Sequence, residues 1–296
     1  MNIQARFYET YEICGIIDQI IRNPFDYLSK LESFYCDEEW LFLAMPYDKY
    51  SILHKFIEYV LDEIHSEQAE EYDLEKEQRI FLDFQGIPEA LKSLQPTKLP
   101  IELAFDYYEI KYESFIDYIK QKDKKFIEAD KDDVDEFMSE LYLTNEYEKL
   151  IDQRVKEIFH ILFMNRQLLL TFNSFLSSII ENNINYHKDE VYDQDLLNKL
   201  FDENGKLKRI NPPKWAQRAV YYRDRGQCTL CKKDLTGLIN LANIKNFDHM
   251  IPLNLYGLND ITNLQLLCIE CNQLEKRDKH GYTSNKYQTW YSYKKS

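Results

Sequence analysis

The segments QCTLC (227–231), FDHMIPL (247–253) and LCIECNQLEK (267–276) decide how this chain is read. Cys228 and Cys231 form one Cys-x-x-Cys pair, and Cys268 and Cys271 form a second. Two such pairs a few tens of residues apart bring four thiolates to one tetrahedral Zn²⁺. Four soft ligands close the coordination sphere, so this zinc is structural and leaves no position for water. Asp248 and His249, between the pairs, are then available for different chemistry.

Charge divides the chain around this stretch. The net charge is -14, yet residues 206–296 hold 16 Lys and Arg against 7 Asp and Glu. Residues 1–205 hold 21 basic against 44 acidic side chains. A basic module that binds a polyanion, joined to an acidic body, accounts for the split; a merely solvated acidic surface is the plainer reading of the acidic part. The expected boundary lies near residue 205, giving an acidic helical domain over 1–205 and a basic domain over 206–296.

The body reads as all-α. Residues 1–204 contain two glycines, Gly15 and Gly86, which disfavours hairpins. Apolar side chains recur at helical spacing: Ile13, Ile16, Ile17, Ile20 and Ile21; Ile52 to Ile64; Phe105, Tyr108, Tyr112, Phe115, Ile116 and Ile119; and a stretch from Leu150 expected to run on to Ile184. Prolines 24, 46, 88, 96 and 100 fall between these runs. Trp40 to Met45 is either strand or helix. Asn211-Pro212-Pro213 predicts a capped helix over 214–223 that Gly226 ends. Many tyrosines line the helices, which is core packing far more often than a ligand groove.

Other classes are excluded. The N-terminus has no basic region before an apolar run and is no secretory signal. The most apolar window, 158–180, is interrupted by Asn165, Arg166, Gln167 and Asn173, so a membrane span is not expected. Paired knuckle cysteines in so long a chain argue for a reducing compartment, the cytoplasm, with Cys14 and Cys36 as small apolar thiols.

The ordered knuckles, the Asp-His-x-x-Pro run, Asn-Leu-Gln-Leu-Leu-Cys (263–268) and Cys271-Asn272 resemble the HNH endonucleases, the ββα-metal nucleases, in their zinc-knuckle subgroup. The resemblance covers roughly residues 211–280. It implies a mainly helical protein ending in a small zinc-stapled ββα-metal domain that hydrolyses DNA to 5′-phosphate and 3′-hydroxyl ends. His249 is implied as general base, a role suited to an imidazole near neutral pH. Asp248 is implied as ligand of a catalytic Mg²⁺ or Mn²⁺, which favour oxygen donors; orienting an imidazole is its alternative. Asn263 is implied to hold the catalytic loop and the base. Asn272 stands where the family often has histidine and is implied to lend its amide oxygen to the same ion. Lys276 replaces a further histidine of some relatives, and His280 fits the motif poorly.

Arg223, Arg225, Lys245, Lys276 and Arg277 are expected to contact phosphates. Tail aromatics, Tyr282 among them, either stack on bases or pack against the zinc module. By analogy alone, a bacterial restriction or phage-defence setting is expected, with the body taking a protein partner or activating signal. Two other readings stay open: a zinc module that only binds nucleic acid, and a helical ribonuclease built on Arg154 and His160, resembling the HEPN pattern.

Overall fold

The computed structural model describes residues 6–35, 40–83, 98–186, 193–236, 246–274 and 280–286. Among these the chain is mainly helical: α1 (Arg6–Arg22), α2 (Leu28–Tyr35), α3 (Trp40–Leu43), α4 (Ile52–Glu70), α5 (Leu74–Asp83), α6 (Pro100–Tyr107), α7 (Phe115–Gln121), α8 (Lys131–Leu141), α9 (Asn145–Phe163), α10 (Arg166–Tyr186), α11 (Gln194–Leu200), α12 (Lys214–Arg223) and α13 (Ile269–Leu274). A single hairpin, β1 (Phe247–His249) antiparallel to β2 (Leu264–Leu266), precedes α13. No described helix is long and apolar enough to cross a membrane.

Local chemistry sets the helix ends. Pro100 occupies the first turn of α6, Ser114 caps α7 and Asp130 caps α8, each side chain of the latter two accepting a backbone N–H. Three expectations are corrected here. The apolar row from Phe105 to Ile119 is two helices, because Tyr108 ends α6 and Glu109 turns left-handed at φ 54°. The run from Leu150 to Ile184 is likewise two, because the Asn165 carboxamide accepts the N–H of Leu168 and starts α10 afresh. Helix α12 begins after Pro213 without a side-chain cap, so Asn211 does not cap it.

The described chain falls into two compact units that interleave in sequence: Met1–Thr10 with Ile57–Glu157, and Tyr11–Phe56 with Ile158–Ser296. The expected boundary near residue 205 lies inside the second.

In the first unit Phe105, Phe115, Val134, Phe137 and Leu150 form the core, all at most 3% exposed. A buried polar chain crosses it. The His65 ring meets the Tyr147 hydroxyl at 3.0 Å through Nδ1 and the Arg154 guanidinium at 2.8 Å through Nε2. Tyr147 donates to Asp62 at 2.6 Å, and Arg154 donates to Glu9 at 2.9 Å. Arg154 is therefore an interior residue, whereas His160 is exposed. That does not build an exposed Arg–His ribonuclease pair.

Burial, then the charge of Arg154, pushes the His65 imidazole down to about 3. Unfolded, it titrates near 6.5, so between these values the unfolded chain binds more protons. The contribution of neutral His65 is complete above pH 6.5 and is lost as pH falls towards 3, with an upper limit on the order of 4–5 kcal/mol. The stability gap between wild type and His65→Gln in urea melts is expected to be widest near pH 7 and to close on acidification. A gap that does not change with pH would contradict this origin.

The second unit has its own aromatic core. Phe56 lies 5.2 Å from both Phe34 and Phe172, and Trp40 lies 6.0 Å from Phe201. Helix α10 buries ten residues, from Arg166 to Ile184. Its Asn173 amide donates to Thr262 Oγ1 at 3.2 Å. The Ile52 N–H at the start of α4 reaches the Asp260 carboxylate at 3.5 Å, and the Tyr47 N–H donates to the Asn259 carbonyl at 2.8 Å. The loop that joins β1 to β2 is thus tied to α10 and to the start of α4.

Candidate active site and zinc centre

The four knuckle sulfurs lie within 4.8 Å of one another, with Cys231 Sγ 3.7 Å from Cys268 Sγ. A tetrahedron with Zn–S bonds of about 2.3 Å has edges of about 3.8 Å, so the cluster fits one zinc ion. No disulfide competes, all four being free thiols. Burial pushes the Cys268 thiol up to about 11 and raises that of Cys271, while backbone amides outweigh burial at Cys228 and hold it down. Four thiolates at this spacing repel one another, and a central dication is what permits all four to ionise. The first knuckle is braced by Lys232, left-handed at φ 65°, and by Gly226 at φ 63°, where a Cβ would meet the Tyr221 hydroxyl at 2.8 Å. Its Thr229 N–H donates to Leu266 of β2 at 2.9 Å, which ties the metal centre to the hairpin.

The loop between β1 and β2 is closed by one side chain. Asn263, fully buried, accepts the Ile251 N–H at 2.8 Å and donates to the carbonyls of Ile251 and Leu258 at 3.0 and 2.9 Å. These bonds grip backbone on either side of the loop and do not reach the imidazole. Gly257 sits so close to this backbone that a Cβ there would fall 1.8 Å from the Ile251 carbonyl oxygen.

In β1 alternate side chains face opposite ways. Asp248, paired with Gln265 across the hairpin, is half-exposed. The Tyr282 hydroxyl donates to its Oδ2. Tyr282 is itself pinned, its N–H donating to Met250 at 3.0 Å and its carbonyl accepting the Gln265 side chain at 3.0 Å. Sequence reasoning placed Tyr282 among stacking or packing aromatics; nothing in its spacing marked it as a carboxylate partner.

His249 faces the interior and is 4% exposed. Neither ring nitrogen makes a hydrogen bond of good geometry; the Asn259 side chain is near enough to favour the charged ring, but its own amide is committed to the Lys208 carbonyl and the Ile210 N–H. Burial above all, with the nearby charge of Arg209, pushes the imidazole down to about 3, the Asn259 side chain opposing. Asn259 also holds the 208–210 segment: its amide donates to the Lys208 carbonyl at 2.8 Å and accepts the Ile210 N–H at 3.3 Å. The imidazole therefore stays neutral, and it is covered.

Asn272 is half-exposed in the first turn of α13, its N–H donating to the Cys268 carbonyl at 2.9 Å. His280 is exposed. Arg223, expected to contact phosphates, is not a solvent-facing side chain: it is 3% exposed, donates twice to Asp224 at 2.8 and 2.9 Å and once to the Leu264 carbonyl at 2.6 Å. Those contacts make it the buried post of the hairpin. Arg225 is half-exposed at φ 55°. Lys245, Lys276 and Arg277, like Cys36, lie outside the described residues.

Hairpin, helix and knuckles follow one another in the order β1, β2, α13, with a cysteine pair on each side of β1. The family model described as HNH endonuclease matches residues 228–278. This segment is similar to the HNH endonucleases. Its match begins at the first zinc cysteine and takes in Asp248, His249, Asn263 and Asn272. An HNH domain points to nucleic acid as the molecule acted on. The helices before it lie outside the match. No curated protein and no solved structure matches the chain.

Proposed function

We propose that the chain is a metal-dependent endonuclease that hydrolyses DNA phosphodiester bonds, with His249 as general base. The observation that carries the reading is a buried imidazole, neither nitrogen in a hydrogen bond of good geometry, next to a half-exposed carboxylate. A buried ring kept for structure is expected to be hydrogen-bonded, since each unmet polar group costs about 1–3 kcal/mol. A base that must accept a proton from water needs a nitrogen left available.

Asp248 and Asn272 offer oxygen donors that suit Mg²⁺ or Mn²⁺. When bound, such an ion supplies charge stabilisation at the departing 3′ oxygen. Tyr282 fixes one carboxylate oxygen of Asp248, which leaves the group one orientation. His249 takes a proton from the attacking water at a ring nitrogen as the water oxygen bonds to phosphorus. The phosphorus–O3′ bond breaks and the departing O3′ takes a proton from a solvent water, which leaves a 5′-phosphate and a 3′-hydroxyl. Asn263 keeps the loop after His249 closed through backbone bonds.

The burial of His249 favours a second reading, a zinc module that binds nucleic acid without cutting it. In the nuclease reading the covered ring is a resting state, and the 208–210 segment held by Asn259 moves before catalysis. Release by a partner or signal acting through the helical part, in a cytoplasmic defence or restriction setting, extends this proposal. Plasmid nicking by the zinc-loaded full chain with Mg²⁺ tests it. Nicking that His249→Ala abolishes supports the enzyme; binding by both with cleavage by neither selects the second reading.

Tyr282→Phe is expected to weaken Mn²⁺ binding 10–100-fold, read by calorimetry, and to lower cleavage at limiting metal. Unchanged Mn²⁺ affinity would reduce the hydroxyl to a packing contact.

A further inference from the structure

A cleft of roughly 430 Å³ opens beside the start of α10, lined by Arg166, Gln167, Arg223, Arg225, Asn285 and Lys286. Four of the ten residues that line it carry positive charge, and Ile161 and Met164 add apolar wall. Arg166 is 8% exposed and donates to the carbonyls of Ser284 and Lys286, both at 3.1 Å. Lys232 donates to the same Lys286 carbonyl at 3.0 Å, which brings a fifth cation alongside. Asp224 is the one anion among them: Arg223 engages both of its carboxylate oxygens, and Arg166 Nη1 reaches Oδ1 at 3.5 Å, so a single carboxylate is shared between two guanidinium groups. Arg223 Nη1 is buried and has no partner. The N-terminal end of the 21-residue helix α10 adds its own positive field at the same place.

We propose that this cleft is a phosphate site, and that the phosphate it takes is a backbone phosphate next to the one cut at Asp248. Ser284 is two residues beyond Tyr282, whose hydroxyl holds Asp248. Two residues of chain reach at most about 7 Å from Cα to Cα, which keeps the backbone that Arg166 holds close to the residue that holds Asp248. The inference rests on the nuclease reading for what happens at Asp248. It assigns to α10, outside the HNH match, a direct part in holding substrate.

The test uses the full zinc-loaded chain without added divalent ions and a fluorescent duplex oligonucleotide followed by anisotropy. Arg225→Asn with Lys286→Gln leaves the buried Arg166 and Arg223 intact, and asparagine tolerates the left-handed turn at 225. Retained melting temperature confirms that the double variant is folded. The double variant is expected to bind about tenfold more weakly than wild type, with a log K against log salt slope shallower by about 1–2. Lys214→Gln, an exposed control, is expected to change both less. Equal affinity and equal slope would overturn the proposal. So would loss of inorganic phosphate or mononucleotide binding with the oligonucleotide unaffected, because the cleft would then serve free phosphate. Weaker binding by the double variant, in a wild type that does not nick with Mg²⁺, would uphold the site and remove the nuclease reading. Nicking with unaltered binding would do the reverse.

Discussion

His249→Leu is expected to abolish cleavage and, at the same time, to make the folded chain more stable. Loss of a general base costs about 10²–10⁴ in rate. The gain in stability has a separate cause: leucine removes two buried nitrogens that make no hydrogen bond of good geometry. Relief of about 1–3 kcal/mol follows, seen as a melting temperature higher by a few degrees. A structural histidine would behave in the opposite way, and His65, with both nitrogens engaged, is expected to do so. Thermal melts and plasmid nicking on the same preparation decide the matter. Lower stability with cleavage unchanged would take the catalytic role from His249.

Removing the zinc is expected to have the second large effect. Purified chain should carry one zinc per molecule, and Cys268→Ser should carry essentially none. The metal holds the knuckles together, and the knuckles hold β2 through Thr229. Binding free energies of about 10–16 kcal/mol are known for structural zinc in small modules, and even partial loss would lower the melting temperature by roughly 10 °C or more. Nicking should vanish with the zinc and should not return with Mg²⁺ alone. One zinc per chain in Cys268→Ser, or unchanged melting after chelation, would show that the four sulfurs do not share an ion.

Much of the site was legible because its chemistry needs particular residues at short spacing. Cys-x-x-Cys pairs announce a metal whatever the fold around them, and the four sulfurs do cluster. Asn263 could be read as a loop clamp because an amide both donates and accepts, although its grip on backbone rather than on His249 needed coordinates. Helices could be read from apolar spacing, yet their ends could not. The row through Phe105 and Phe115 has the right period on both sides of a left-handed Glu109, and periodicity does not register a turn. Arg223 misled for a related reason: a charged side chain in a basic stretch looks solvent-facing until Asp224 and the Leu264 carbonyl are found around it. The Tyr282–Asp248 bond spans 34 positions, and a contact at that range leaves no local signature.

The interleaved order of the units has a consequence for biosynthesis. Residues 11–56 belong with 158–296, and the whole of 57–157 is made between them. At typical elongation rates of about 5–20 residues per second, the early segment waits on the order of ten seconds for its mate. The hairpin bearing His249 comes later still, and its loop is tied to α10 and to the start of α4. A ribosome that stalls or terminates early would release a fragment whose residues 11–56 have no partner to fold against, with their apolar face left open to aggregation.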